Sequence, residues 1–354
     1  MIETKIEEVR RVLKNWNGPI AVAYSGGKDS SVVVKLVYAA LLREPSLSSK
    51  VSFIYCDTEV ENPIIDRFVK YTLENISQEM RNSNFQSEVK ILKPRIDQSF
   101  FVRIIGRGYP PPTTFFRWCT TDLRIRPVQH FLKDAGPNSL VVVGMRWGES
   151  HQRDRSMTKY GTQEFGDAVI QKQRGAGSTA HLYMPIANFD LSDVWLTLYE
   201  LEVPVSIDVF KLAQLYREGS GECPVVREMN DKPCARARFG CWSCTVVRRD
   251  RSSDNLLQAG HSSLQPYADF RTWLIEFRQN PLKRCFKRRN GTAGLGPFTL
   301  AARGEILDRL TELERQVSAV ILSSEQRSYI AQLWEEDASS SKYQALEDPI
   351  AVSS

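Results

Sequence analysis

The sequence predicts an α/β protein built on a doubly wound, mostly parallel sheet, with a cysteine-rich segment and further helices toward the C terminus. Three observations predict it. Short β-branched apolar segments alternate with helical patterns through the first half, the arrangement that gives parallel strands joined by crossover helices. The strand segments are apolar at successive positions, so both sheet faces must be covered. The first strand also runs straight into a glycine-rich turn and then a helix, "PIAVAYSGGKDSSVVVKL" (19–36).

Taken in order, residues 2–13 carry Ile2, Ile6, Val9, Val12 and Leu13 at helical spacing, one apolar face of an opening amphipathic helix. "IAVAY" (20–24) is the first strand, followed by a helix from about Ser30 to Leu42. "VSFIYCD" (51–57) is the second strand, ahead of a helix from about Pro63 to Arg81. "SEVKIL" (87–92) is a third, and "RIRPVQHFLKD" (124–134) opens another helix. "SLVVVGMR" (139–146) is a further strand. The polar, glycine-bearing residues 155–179 read as a loop over a site or a β-hairpin insertion. A short strand and a helix follow, with Asp190 as N-cap and Pro204 beyond the helix end. Helices are expected over 264–279 and 303–337. The implied domains are 1–210 for the α/β body, 211–300 for the basic cysteine-rich segment, and 301–354 for a terminal helix and flexible tail.

With 354 residues, 42% hydrophobic and 25% charged, the chain can bury a substantial core. No apolar run approaches the ~20 residues needed to span a bilayer, and the acid-bearing start lacks the apolar core of a secretory signal, so a cytoplasmic protein is expected. Residues 232–289 carry 13 Lys/Arg against 4 Asp/Glu, while the whole chain is only +5. Such a basic block suits a polyanion, or a solvated positive face. Four of seven cysteines fall between Cys223 and Cys244, which points to a metal or cluster rather than a disulfide framework.

A strand, a glycine-rich turn and a helix N-terminus together form an anion site, because successive backbone N–H groups and the positive end of the helix dipole converge on it. In Ser25-Gly26-Gly27-Lys28-Asp29-Ser30, the glycines permit close backbone approach, the serines add hydroxyls, and Lys28 supplies a positive charge for phosphate. The hexad differs from the G-x-x-x-x-G-K-[ST] loop of kinases and GTPases. It resembles instead the PP-loop of the N-type ATP pyrophosphatases, which split ATP between its α- and β-phosphates. That resemblance implies the adenine nucleotide alpha hydrolase-like (HUP) fold and ATP, with Mg2+, as ligand. "YCDTEVENP" sets Asp57 and Thr58 at the carboxyl end of the second strand, where ligands of open α/β sheets bind. It is similar to the D-T-(x)n-P segment of PAPS reductases. "GMRWGESHQRDRS" resembles the same group's G-x-R-x-x-E-S motif, implying roles for Gly144, Arg146, Glu149, Ser150 and Arg153. Lys28, Asp29 and Arg146 are the catalytic candidates, with the Arg146 guanidinium stabilising charge on pyrophosphate or on the phosphorus in transfer.

Cys223, Cys234, Cys241 and Cys244 are spaced C-x10-C-x6-C-x2-C. Zinc and iron–sulfur clusters both accept four thiolates, and the irregular spacing favours a [4Fe–4S] cluster over a zinc ribbon. The segment ending "RFGCWSCTVV" resembles the cluster segment of DndC-type proteins of bacterial DNA phosphorothioation, with SspD-type relatives close by, and the similarity spans Ile20 to Val247. Cys119, in "FFRWCTTDLRIRP", aligns with the C-C-x-x-R-K-V-x-P segment of iron–sulfur APS reductases, with Thr120 at the second cysteine. Arg117, Arg124 and Arg126 are near it in sequence, a setting expected to favour thiolate. It is assigned as a persulfide-holding sulfur carrier, with a fifth-cysteine role at the cluster as the rival. Cys56 is expected to be a packed residue, and Trp242 or Phe286 either stack a base or pack.

The resemblance implies a reaction. An acceptor oxygen attacks the α-phosphorus of ATP, pyrophosphate leaves, and a sulfur nucleophile then displaces AMP. With a DNA backbone phosphate as acceptor the product is a phosphorothioate, and DNA, a cysteine desulfurase and other phosphorothioation proteins are the implied partners. Three alternatives stand beside it. PAPS or APS reduction needs a C-terminal nucleophilic cysteine, and no cysteine follows Cys285. The others are tRNA thiolation and a non-catalytic, zinc-containing nucleic-acid-binding module.

Overall fold

The computed structural model describes residues 1–148, 154–155, 158, 161–165, 168–175, 178–220 and 239–347. Contacts divide the chain into two units, each assembled from three stretches. One takes Met1–Cys56, Ile64–Leu92 and Val128–Phe239; the other takes Asp57–Pro63, Lys93–Pro127 and Gly240–Ser354.

The first unit is the α/β body. Strands β1 (Ile20–Ala23), β2 (Val51–Cys56), β3 (Glu88–Leu92), β4 (Ser139–Val142), β5 (Gly161–Phe165), β6 (Ala168–Gly175) and β7 (Ser178–Met184) form one sheet ordered β3-β2-β1-β4-β7-β6-β5. The five strands from β3 to β7 in that order pair in parallel, as the apolar strand segments predict. The order turns back at β1, whose neighbours are β2 on one side and β4 on the other, so the loop after β1 stands at the switch point where open α/β sheets take their ligands. β6 pairs antiparallel with both β7 and β5, so the hairpin reading of 155–179 describes its regular part, which widens the sheet.

Helices α1 (Ile2–Asn15), α2 (Lys28–Arg43), α3 (Pro63–Asn82), α4 (Arg126–Ala135), α5 (Leu191–Glu200) and α6 (Val209–Ser220) accompany these strands. Ile6, Val9, Val12 and Leu13 of α1 are buried, as their spacing requires. α2 is buried along almost its whole length, which fits its Val/Leu/Ala composition, with Lys35 a buried charge in its middle. Asp190 caps α5 through a reciprocal box with Asp193: each carboxylate accepts the other residue's backbone N–H.

The second unit is helical around its own core, in which Phe100, Phe101, Trp242, Phe270, Phe298 and Leu310 are buried. Its helices are α7 (Arg251–Gln258), α8 (Gln265–Gln279), α9 (Leu300–Val317), α10 (Ser324–Ser339) and α11 (Ser341–Glu347). The single helix expected over 303–337 is two. Ser318 adopts left-handed geometry (φ 50°) and ends α9, and Ser323 begins α10 with a capping box to Gln326. No helix among the described residues is long and apolar enough to cross a membrane.

Candidate active site

The turn after β1 is held open from inside. Gly26 has φ +74°, and a Cβ there would lie 2.1 Å from Val69 Cγ2 of α3, so glycine alone meets both demands. The Ser30 hydroxyl accepts the Ser25 N–H (3.2 Å), donates to the Gly27 carbonyl (2.9 Å), and lies 3.1 Å from the Ser25 hydroxyl. Lys28 and Asp29 open α2, so the helix dipole concentrates positive potential here.

Lys28 is buried (6% exposed), unusual for a lysine outside a site. Its Nζ lies 4.4 Å over the Tyr216 ring and 3.9 Å from Asp29 Oδ2. Its backbone N–H donates to the Tyr216 hydroxyl (3.1 Å). Arg146, just beyond β4, donates from Nε to Asp29 Oδ1 (2.5 Å) and from a terminal nitrogen to the Phe189 carbonyl (3.3 Å). Gly144 lets that strand end approach α2: a Cβ there would lie 2.6 Å from the Asp29 carbonyl carbon and 2.8 Å from the Ser30 nitrogen. The first unit therefore brings together Ser25, Gly26, Gly27, Lys28, Asp29, Ser30, Gly144 and Arg146 at one sheet end. Two cations and one carboxylate share that end, a set suited to a polyphosphate. Glu149, Ser150 and Arg153 lie outside the described residues.

Sequence reasoning missed Tyr216. An isolated tyrosine on an amphipathic helix reads as core, and its ring does pack edge-on against Trp195 and Phe239. Only the fold brings its hydroxyl to Lys28, 188 residues away.

Asp57 and Thr58 directly follow β2 and belong to the second unit. Asp57 is buried, and its Oδ1 accepts the Glu59 N–H (2.9 Å) in a turn where Glu59 takes φ +65°. The Glu59 carboxylate anchors that turn, accepting from the Ser99 hydroxyl and from Gln326 Nε2 (3.1 and 3.2 Å); burial pushes its pKa up. Thr58 donates to Glu61 Oε1 (3.0 Å), which also accepts from Arg124 (2.6 Å).

The thiol centre lies in the same unit. Glu61 and Cys241 form an antiparallel bridge, the Trp242 N–H donates to the Val60 carbonyl (3.0 Å), and Cys241–Cys244 close a tight turn through the Cys244 N–H (3.0 Å). Cys241 Sγ lies 4.0 Å from the Thr58 hydroxyl. Burial, then the Glu61 carboxylate, pushes the Cys241 thiol well up. Between the two cysteines, Ser243 buries a hydroxyl with no hydrogen-bond partner among the described residues, as expected where an acceptor belonging to a bound group is part of the design. Cys223 and Cys234 lie outside the described residues, and no three metal-ligating side chains cluster among the described ones. The knuckle turn and the orphaned Ser243 hydroxyl fit a thiolate-held metal or cluster, for which Cys241 and Cys244 would supply two ligands.

Cys119 needs a correction. The nearby arginines were expected to favour its thiolate, but burial and then the Cys244 sulfur push its pKa up. Arg124 is paired with Glu61 and Arg126 with Asp122, so neither guanidinium is reserved for the sulfur. Trp242 packs: it is buried against Phe101, Tyr267 and Phe270, whereas Phe286 is half exposed. Cys285 is buried, 3.6 Å from the Tyr343 hydroxyl. None of the five described cysteines is disulfide-bonded.

Part of the basic block is internal scaffolding. Arg271 donates to the Cys244 and Val247 carbonyls, Arg278 to Pro112 and Thr245, and Arg284 to Gly296. Arg248, Arg249, Arg251 and Arg288 stay exposed.

Among solved structures, the chain is similar to PAPS reductase from Candida auris (13% identity, 56% of this chain and 80% of that one, TM-score 0.35). It is likewise similar to FMN adenylyltransferase from Candida glabrata (16%, 89% and 80%, TM-score 0.36) and to NH3-dependent NAD synthetase from Campylobacter jejuni (17%, 79% and 95%, TM-score 0.34). An uncharacterized protein of Methanocaldococcus jannaschii is 26% identical over 230 residues, 65% of this chain; the match spans only 36% of that relative's length. The family model for the phosphoadenosine phosphosulfate reductase domain matches residues 19–247, from the strand before the phosphate loop to just past the Cys241–Cys244 turn, and the chain belongs to that family.

Proposed function

We propose that the chain is an ATP pyrophosphatase and sulfurtransferase that adenylates a DNA backbone phosphate and replaces one of its oxygens with sulfur. A non-bridging phosphate oxygen attacks the α-phosphorus of ATP and pyrophosphate leaves. The outer sulfur of the Cys119 persulfide then attacks the DNA phosphorus, AMP departs with the original oxygen, and a thiol co-reactant cleaves the remaining S–S bond, freeing the phosphorothioate and leaving a disulfide. Lys28 and the N–H groups opening α2 would hold the departing pyrophosphate, and Arg146 would neutralise charge as it develops, steered by Asp29. Asp57 and Thr58 are assigned to the nucleotide. Cys223, Cys234, Cys241 and Cys244 are assigned to a [4Fe–4S] cluster, and Cys119 to carrying sulfur. Mg2+ would accompany the triphosphate. The partners that follow are DNA, a cysteine desulfurase and other phosphorothioation proteins, in the cytoplasm.

The observation that carries the reading is the buried Lys28 ammonium at the start of α2, with Arg146 bound to the adjacent Asp29: two cations gathered at the N-terminus of a helix. The DNA half is supported by the DndC-like cysteine segment and the exposed arginines beside it. A second reading, reduction of a sulfonucleotide such as PAPS, is favoured by the family match over residues 19–247.

Anaerobically purified protein given DNA as acceptor should release pyrophosphate from ATP, and Lys28→Ala should abolish the release. Host cells carrying the intact system should yield phosphorothioate dinucleotides on nuclease digestion and mass spectrometry, and Lys28→Ala or Cys241→Ser should remove them. Sulfite release from PAPS, with no phosphorothioate in the DNA, would replace this reading with the reductive one.

A further inference from the structure

The turn at Thr113–Phe116 lies in the second unit and is closed by reciprocal backbone hydrogen bonds, Thr113 N–H to the Phe116 carbonyl and Phe116 N–H to the Thr113 carbonyl (3.2 Å each). Its base is anchored. Trp118 stacks on Phe100 (5.4 Å, 27°) and its indole N–H donates to the Pro110 carbonyl (3.1 Å). The Pro112 carbonyl accepts from the Thr245 hydroxyl (2.7 Å) and from Arg278 (2.8 Å). On this braced base Phe115 is 100% exposed and Phe116 nearly half exposed. A single exposed apolar residue needs no explanation, but an aromatic side chain fully in water at the tip of a pinned turn forfeits its burial energy unless something covers it.

Charge identifies the cover. The clamp between Pro112 and Thr245 ties this turn to the segment Arg248-Arg249-Asp250-Arg251. Three residues of chain reach at most about 11 Å, so Phe115 and Arg248 each stand within about that distance of the clamp. Arg117, Arg248 and Arg251 are exposed, with no ion-pair partner among the described residues. The carboxylates at hand are committed: Asp250 caps α7, accepting from Ser253 N–H and the Ser252 hydroxyl, and Asp254 pairs with Arg249. A protein partner would be met by balanced charge and a wider apolar face. An aromatic tip tied through one clamp to a segment of uncommitted guanidinium groups offers what a strand with unstacked bases requires: a ring to stack on and cations for successive phosphates.

We infer that the Phe115 turn and the arginines at 117, 248 and 251 form a binding surface for single-stranded or locally unstacked nucleic acid. This deepens the partner in the reading above and rests on it. Phe115 takes a base by stacking, and the guanidinium groups take the backbone phosphates.

The test uses the full-length protein and a fluorescein-labelled oligothymidylate, with binding followed by anisotropy at several salt concentrations. Phe115→Ala should weaken binding roughly five- to a hundredfold, with the salt dependence unchanged. Arg248→Ala should instead flatten the slope of log K against log salt by about 0.7 per lost phosphate contact. Thermal midpoints should stay at the wild-type value, since both side chains are exposed. Equal affinity of Phe115→Ala and wild type would overturn the inference. So would an absence of wild-type binding. Pyrophosphate release from ATP is measured beside it. Its absence with stacking intact would refute the phosphate-loop reading and leave this surface standing.

Discussion

Replacing Gly144 with alanine probes the joint on which the phosphate loop depends. A Cβ at this position would lie 2.6 Å from the Asp29 carbonyl carbon, 2.7 Å from its oxygen and 2.8 Å from the Ser30 nitrogen. Against an ordinary contact distance of about 3.4 Å, the first turn of α2 must retreat by about 0.8 Å. All three atoms are backbone, so no rotamer change relieves the overlap. Overpacking of this kind costs about 1–3 kcal/mol, which for a unit of this size lowers the melting midpoint by roughly 2–10 °C. The same retreat carries the first turn of α2 away from any phosphate, and a misplacement near 1 Å can cost about a hundredfold in rate. Differential scanning fluorimetry and pyrophosphate release from ATP measure the two effects. Gly144→Ala with the wild-type midpoint and wild-type turnover would refute the claim that this close approach sets the loop.

Two further predictions concern buried charge. Lys35, on α2, is buried with its ammonium on the Leu201 carbonyl (2.6 Å), and burial pulls its pKa down to about 8. The unfolded chain therefore holds a proton that the folded state does not between about pH 8 and pH 10.5, so stability from this site rises with pH across that window, by up to ~3 kcal/mol. Chemical denaturation of Lys35→Met should lack that rise; parallel pH profiles for the two proteins would refute it. Arg303 is 0% exposed and its charge is met by Asp337 (2.7 Å), with the Phe298 and Gly106 carbonyls accepting from Nε and Nη1. Asp337→Ala leaves that cation buried and unpaired and should cost about 3–5 kcal/mol, read as a fall in the denaturation midpoint. A wild-type midpoint would show that the carbonyls alone suffice.

Much of the α/β body is legible in the chain because its signals are local. The strand–turn–helix of 20–43 shows itself through apolar runs and adjacent glycines, and Asp190 announces a cap three residues ahead of its partner. The break between α9 and α10 was also legible, in the Ser323-x-x-Gln326 capping box. The thiolate expected at Cys119 failed. Arginines close in sequence are drawn to carboxylates close in space, Glu61 and Asp122, and the degree of burial has no local signature.

Periodicity, glycine placement and motif spacing are properties of neighbouring residues, so the sequence by itself determined the class of fold, the position of the phosphate loop and the candidate thiols. The partners of each charge were decided only by tertiary structure. Tyr216 reaches Lys28, Arg146 reaches Asp29, and Arg271 and Arg278 of the basic block turn inward to carbonyls. The interleaving of two units from alternating stretches is equally invisible along the chain. The physical reason is common to all of these: a charge or hydroxyl settles its partner by distance and desolvation, and both are set once remote segments have packed.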